Sequence, residues 1–354
     1  MRAINFSAGP CTLPLAVLEE AQDELVDYRG RGMSLLEMSH RSPEYEEVHN
    51  EALDLSREIF GAPDEFAILF LQGGASLQFA MVPLNLLGPG QQAGYLASGA
   101  WGTKALEDAG HHGKAYAAWD GADSGYTTMP GPEDIEIRDN TRYLHVTSNE
   151  TIHGTRLSEW PNEARLVADM SSDYMSRAIP WDRFDLVYGG AQKNLGPAGL
   201  TIVFVRHSVL EETNRDLAAY LRYDIHAAKN SLYNTPPVFA IYMTGKTLKW
   251  IQRQGGLRAI EKAAQARSDL IYDVIDGSDG YYRGPVQPGS RSHMNVVFQL
   301  PSEEDEARFL EEAVARNMLN LRGHRSVGGL RASLYNAMPM EGVEALASFM
   351  STFR

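Results

Sequence analysis

One lysine stands in a glycine-rich stretch, Gly189-Gly190-Ala191-Gln192-Lys193-Asn194-Leu195-Gly196-Pro197-Ala198-Gly199, between two segments that read as strands. The chain holds 7 lysines against 25 arginines. An arginine would serve a surface charge equally well, whereas imine formation needs an amine whose pKa can fall until it is neutral. Taken alone, the segment reads as a solvated loop lysine. Asp169 lies 24 residues earlier, at the end of Leu166-Val167-Ala168. A carboxylate there could hold a pyridinium nitrogen protonated and strengthen an electron sink; a capping aspartate is the plain alternative. One strand, a crossover and a second strand fit the interval, which would bring Asp169 and Lys193 out side by side at one sheet edge.

A third segment, Gln72-Gly73-Gly74-Ala75-Ser76, follows the strand-like Phe66 to Leu71 and precedes the helix-like Leu77 to Leu87. Glycines permit a tight turn, and amides at a helix start point at an anion, so the segment could cradle a phosphate. An unliganded strand-to-helix turn explains it about as well. It is not a dinucleotide fingerprint, because no third glycine falls in register. Nor is it a nucleophile elbow, because Gln78 stands where a glycine is needed after Ser76. Gly245-Lys246-Thr247 lacks the first glycine of a nucleotide loop, Ala240 standing there, and its surroundings look helical.

The elements that must position these residues follow a regular plan. Through about Val205, short apolar runs alternate with longer amphipathic stretches, the pattern of a mostly parallel sheet covered by helices. Strands are expected at Phe66 to Leu71, Tyr143 to Val146, Leu166 to Ala168, Leu186 to Tyr188 and Thr201 to Val205. Two helices, Val238 to Gln254 and Leu257 to Ile275, are separated by the Gly255-Gly256 break. Beyond them, strands at Asn295 to Leu300 and Leu330 to Leu334, with helices at Glu303 to about Asn317 and Glu341 to Phe353, form a small α+β unit. At 354 residues the chain exceeds the usual size of one core.

Composition narrows the partners. The net charge of −14 opposes non-specific attraction to nucleic acid or anionic membranes, so any anion site must be local. No apolar run approaches the ~18 residues of a membrane span, and the amino terminus lacks the features of a secretory signal. A cytoplasmic location is expected. The single cysteine, Cys11, rules out an intramolecular disulfide and a cysteine-based zinc cluster, and no metal site is expected.

In this order the segments resemble the phosphoserine aminotransferases, in the class V branch of the fold-type I pyridoxal-phosphate enzymes. The likeness runs nearly end to end, from Asn5-Phe6-Ser7-Ala8-Gly9-Pro10 through Met38-Ser39-His40-Arg41-Ser42 and the Gln72 segment to Ser148-Asn149-Glu150-Thr151. It continues with Ala168-Asp169-Met170-Ser171-Ser172, the Lys193 loop and Tyr233-Asn234-Thr235-Pro236-Pro237. It closes with Gly323 to Ser333 and Tyr335-Asn336-Ala337. A related cysteine desulfurase would need a reactive cysteine late in the chain, and Cys11 is not one.

The resemblance implies an α/β fold: a large pyridoxal-phosphate-binding domain (16–256) with a mostly parallel seven-stranded sheet, and a small C-terminal α+β domain (257–354). Residues 1–15 would pack with the small domain. Lys193 would hold pyridoxal 5'-phosphate as a Schiff base, Asp169 would meet the pyridine nitrogen, and Trp101 would stack on the ring. Thr151 would approach the ring hydroxyl, and Ala75, Ser76 and Gln192 would bind the phosphate. Asn234 and Thr235 would reach the phosphate from a neighbouring subunit of a homodimer. Arg331 would hold the substrate carboxylate, while His40, Arg41, His324 and Arg325 would receive the substrate phosphate or the glutamate side chain. The implied reaction moves an amino group from L-glutamate to 3-phosphohydroxypyruvate in serine synthesis, with 4-phosphohydroxythreonine in pyridoxine synthesis left open. Ala8 stands where some members have a second serine, so a substrate contact would be missing or made by backbone; Ala75-Ser76 stands where some relatives place glycine and arginine, which throws phosphate binding onto amides and the serine hydroxyl. An aminotransferase using alanine or glyoxylate has no need of the cationic cluster, and a non-catalytic cofactor-binding protein has no need of Lys193, Asp169 and Trp101 together.

Overall fold

The computed structural model describes residues 2–162, 164–214 and 216–354. Its strands are β1 (Ile4–Asn5), β2 (Phe66–Leu71), β3 (Gln92–Ala97), β4 (Lys114–Asp120), β5 (Thr141–Thr147), β6 (Asn149–Glu150), β7 (Thr155–Arg156), β8 (Leu166–Asp169), β9 (Phe184–Gly190), β10 (Thr201–Arg206), β11 (Asn295–Phe298), β12 (Met318–Leu319) and β13 (Leu330–Ser333). Its helices are α1 (Leu15–Glu24), α2 (Pro43–Phe60), α3 (Gly74–Leu86), α4 (Ala100–Gly110), α5 (His207–Glu212), α6 (Tyr223–Ala228), α7 (Val238–Arg253), α8 (Leu257–Asp276), α9 (Glu303–Ala315) and α10 (Met340–Thr352).

Seven strands form the central sheet in the order β2-β10-β9-β8-β5-β3-β4. All neighbours are parallel except β10, which runs antiparallel to both β9 and β2. The central strands are buried on both faces, which is why β8, β9 and β10 read as continuous apolar runs and not as alternating ones. The five strands expected up to Val205 lie within observed ones, whereas those expected at Asn295 to Leu300 and Leu330 to Leu334 run past the ends of β11 and β13. Sequence reading missed β3 and β4, and it did not delimit α2.

Helix α2 begins at Ser42, whose hydroxyl accepts from Tyr45 N at 3.3 Å, followed by Pro43 at the first helical position. It ends at Gly61 in the left-handed region. Helix α3 starts three residues before the expected Leu77, at Gly74, because Gly73 turns the chain with φ +90°. A Cβ at Gly73 would also fall 2.6 Å from Leu77 Cδ2, so only glycine fits there.

The apolar side chains around the sheet form cores on its two faces. Another core gathers Ile271, Tyr282, Phe298, Phe309, Leu346 and Phe349 from the C-terminal part, and Phe6 joins it. The N-terminal β1 pairs with β12 in parallel, Ile4 opposite Met318. Between the sheet and this C-terminal core runs a seam of buried amides. Asn149 Nδ2 donates to Asn295 Oδ1 and to Ser172 Oγ, both at 2.9 Å. Asn194 Nδ2 donates to Ser172 O at 2.9 Å, and its Oδ1 accepts from Asn336 N at 3.0 Å. Among the described residues, no helix is long and apolar enough to cross a membrane.

Candidate active site

Strand β8 ends at Asp169, and β9, its parallel neighbour, ends three residues before Lys193. The 14 residues between those strands contain only a 3-10 turn, Trp181–Arg183, so the chain crosses over without an α-helix. Both side chains emerge at the carboxyl ends of adjacent strands and line one cavity of about 330 Å³. A bigger cavity, about 620 Å³, lies between the N-terminal segment and the connection into α8, with no lysine, histidine or carboxylate on its wall. Of the two, the smaller brings together the expected Lys193 and Asp169.

Lys193 Nζ donates to Thr151 Oγ1 at 2.7 Å and sits 5.4 Å from the centroid of the Trp101 ring. Burial holds its amine below the ordinary lysine range; the Asp169 and Glu150 carboxylates oppose that shift, and Arg331 adds to it. Asp169 is 4% exposed. Its Oδ1 accepts from Ser171 N at 2.9 Å and from Ser171 Oγ at 2.6 Å. Burial raises its carboxyl above the usual value, against the lowering effect of Ser171 and Lys193. A cationic ring nitrogen beside Asp169 would reverse that balance and hold it ionised.

Ala75 and Ser76, in the first turn of α3, line the same cavity with Gln192. The start of α3 has no side-chain cap, so its amides remain available to an anion. Across the cavity stand His324 and Arg331. Arg331 Nη1 donates to Thr151 O at 3.1 Å. Burial lowers the Arg331 pKa, and among the described residues no carboxylate pairs with it. A guanidinium in that position favours an arriving carboxylate. His324 bonds Ser326 Oγ at 2.7 Å through Nδ1, and burial, with Arg331 and Arg325 nearby, lowers its pKa.

The other expected site residues do not line this cavity in the single chain. His40 and Arg41 lie in the turn before α2, and Arg41 is exposed. Arg325 is exposed on the loop between His324 and β13. Asn234 Nδ2 turns to Thr235 O, which also accepts from Gln72 Nε2 at 3.0 Å. Sequence reasoning missed Glu150 and Ser171. Ser171 orients Asp169, and its hydroxyl also accepts from Gly190 N at 3.1 Å. Glu150 is fully buried, and burial pushes its carboxyl up to about 7 against the amides of Gly102 and Trp101. No group of three or more metal-ligating side chains occurs among the described residues.

The family model for class-V aminotransferases matches residues 3–346. A curated phosphoserine aminotransferase of Lysinibacillus sphaericus is 50% identical over 355 residues, covering 100% of this chain and 98% of the relative. That of Bacillus subtilis is 46% identical over 354 residues, with 100% and 98% covered. The solved phosphoserine aminotransferase of Bacillus circulans subsp. alkalophilus superposes with a TM-score of 0.97 at 50% identity, covering 99% of this chain and 98% of that one. The enzyme of Trichomonas vaginalis, solved with pyridoxal phosphate bound, gives 0.94 at 36% identity, with 99% of each chain covered.

Proposed function

The chain belongs to the class-V aminotransferases and is a pyridoxal-phosphate-dependent enzyme; on that premise we propose that it catalyses the phosphoserine aminotransferase reaction. Glutamate donates the amino group, and 3-phosphohydroxypyruvate receives it to give O-phospho-L-serine and 2-oxoglutarate. The observation that carries this reading is one cavity holding a depressed lysine amine, a buried carboxylate and an arginine with no acid partner among the described residues. Those residues fit pyridoxal phosphate. The uncapped start of α3 with Ser76 and Gln192 would take its phosphate, Asp169 its ring nitrogen, Thr151 its hydroxyl and Trp101 one ring face.

When bound, the cofactor supplies an aldehyde that condenses with amines and a ring that withdraws electrons from the attached carbon. Lys193 Nζ would take the proton from the substrate Cα and later return one as general acid. Burial makes the neutral, base-competent amine easier to reach than in a free lysine. Arg331 grips the α-carboxylate through its fork, which fixes the Cα near Nζ. His324 faces the distal group of the substrate. Asp169, buried at the end of β8, would keep positive charge on the ring nitrogen.

A homodimer with shared sites is part of this proposal. His40, Arg41, Asn234 and Thr235 lie outside their own chain's cavity, so a partner copy would supply them. Five of the large exposed hydrophobics, Leu25, Val26, Met33, Leu36 and Tyr233, fall in the same two regions, as an interface would require. The function is tested by glutamate-dependent amination of phosphorylated and unphosphorylated keto acids. Amination of 3-phosphohydroxypyruvate should exceed that of pyruvate and glyoxylate; preference for either unphosphorylated acid would overturn the assignment.

A further inference from the structure

Glu150 takes no part in the chemistry above, yet it stands between two residues that do. Thr151, which accepts from Lys193, follows it directly. On its other side, the carboxylate receives three donors from one short stretch. Gly102 N and Ser98 Oγ reach Oε1 at 2.8 and 3.2 Å, and Trp101 N reaches Oε2 at 3.2 Å. These bonds satisfy amides at the start of α4, which has no cap from its own Gly99. Contact there is tight, because a Cβ at Gly99 would fall 2.6 Å from Glu150 Cδ.

The backbone of Trp101 is thus tied to a carboxylate that is itself 0% exposed. The indole has no such tie, since among the described residues Nε1 has no hydrogen-bond partner. Its angle over Lys193 is therefore set by the backbone beneath it together with its apolar packing against the core. We propose that Glu150 is a positioning residue, which pins the start of α4 so that the Trp101 indole forms a fixed wall facing Lys193 and holds the cofactor ring flat against it. The proposal rests on the cavity being the cofactor site.

Glutamine at 150 keeps the volume but turns an NH₂ group toward backbone donors, so one amide loses its acceptor. The test is a double-mutant cycle of Glu150→Gln and Trp101→Phe in the full chain. Its readouts are the pyridoxal-phosphate dissociation constant of the resolved apo form and the visible circular dichroism of the bound cofactor. Glu150→Gln should weaken cofactor binding about tenfold and alter the dichroism, as expected for loss of a charge-assisted bond. In the Trp101→Phe background the same change should cost less than about twofold, because coupled residues are non-additive. Equal losses in both backgrounds, or no loss in either, would overturn the positioning role. Trp101→Phe without effect on cofactor binding would instead remove the cofactor-site reading itself. If Glu150→Gln does not fold, Ser98→Ala removes a single donor and should shift binding two- to threefold in the same direction, again only where Trp101 is present; additivity there would overturn the proposal equally.

Discussion

Lys193 Nζ and Thr151 Oγ1 lie 2.7 Å apart, so the hydroxyl that Lys193 bonds belongs to the residue whose carbonyl accepts from Arg331. The two roles proposed for them, cofactor anchor and carboxylate clamp, are thereby referred to one backbone position. Borohydride reduction of the holoenzyme followed by peptide mapping should place the label on Lys193, and label on any other lysine would remove its assignment. Lys193→Ala should lose about a thousandfold or more in turnover while retaining some cofactor through Asp169, Trp101 and the phosphate contacts. Because burial lowers the amine pKa, the apo chain should condense with the aldehyde at a lower pH than a free lysine does. Stopped-flow absorbance across pH 6 to 10 reads that onset.

Sharing of sites between subunits has its own test. Lys193→Ala and a disruptive double change at Asn234 and Thr235 should each be inactive alone. Mixed and reassembled, they should recover part of the parent activity, because a hybrid can place both defects in one site and neither in the other. Verified hybrids without recovered activity would mean that each chain completes its own site.

Substrate choice should depend on Arg41. A phosphate monoester carries nearly two negative charges at neutral pH and needs compensating cations when desolvated. Arg41→Leu should cost on the order of 2 to 5 kcal/mol in the phosphoserine half-reaction and far less with alanine, with glutamate between. Single half-reactions, followed as formation of the pyridoxamine form, give the three values. Equal proportional losses with phosphoserine and alanine would show that Arg41 supports the fold or interface instead.

Acid sensitivity should trace partly to His145. It lies buried in β5, with Nε2 2.9 Å from Tyr188 OH and its ring stacked on Tyr95. Burial pushes its pKa down to about 3. The unfolded chain binds the proton near pH 6.5, so this contribution is complete above that pH and is lost as pH falls toward 3. His293, pushed down to about 4 by burial and Arg156, acts in the same direction. Denaturant unfolding between pH 7 and 4 should show His145→Asn with a shallower slope, by up to about 1.4 kcal/mol per pH unit. Matching slopes for parent and variant would rule this out.

The strands that carry the chemistry were legible because they are buried on both faces and therefore read as apolar runs. Strands β3 and β4 were not, since Gln92–Ala97 and Lys114–Asp120 are rich in alanine, a residue with little strand preference of its own. The pairing of β3 with β5 and of β4 with β3 supplies what local sequence lacks. At the site, Lys193 and Asp169 were legible from residue type and strand ends. Glu150 was not, because its partners are mostly backbone amides, and no side-chain type in Ser98 to Gly102 announces them. His40 and Arg41 show the converse: their chemistry is readable, but the sequence does not say from which copy of the chain they reach a cavity.

The amide seam through Asn149, Asn194, Asn295 and Asn336 bears on how the molecule melts. An apolar boundary between the sheet and the C-terminal core could part gradually, exposing area in proportion to the gap. Amides with fixed partners do not yield that way, since a small separation strands several at once at about 1 to 3 kcal/mol each. Opening either core alone would leave the other carrying that penalty. Scanning calorimetry should therefore record a single endotherm whose van't Hoff and calorimetric enthalpies agree, in place of the two transitions that separate cores would otherwise give.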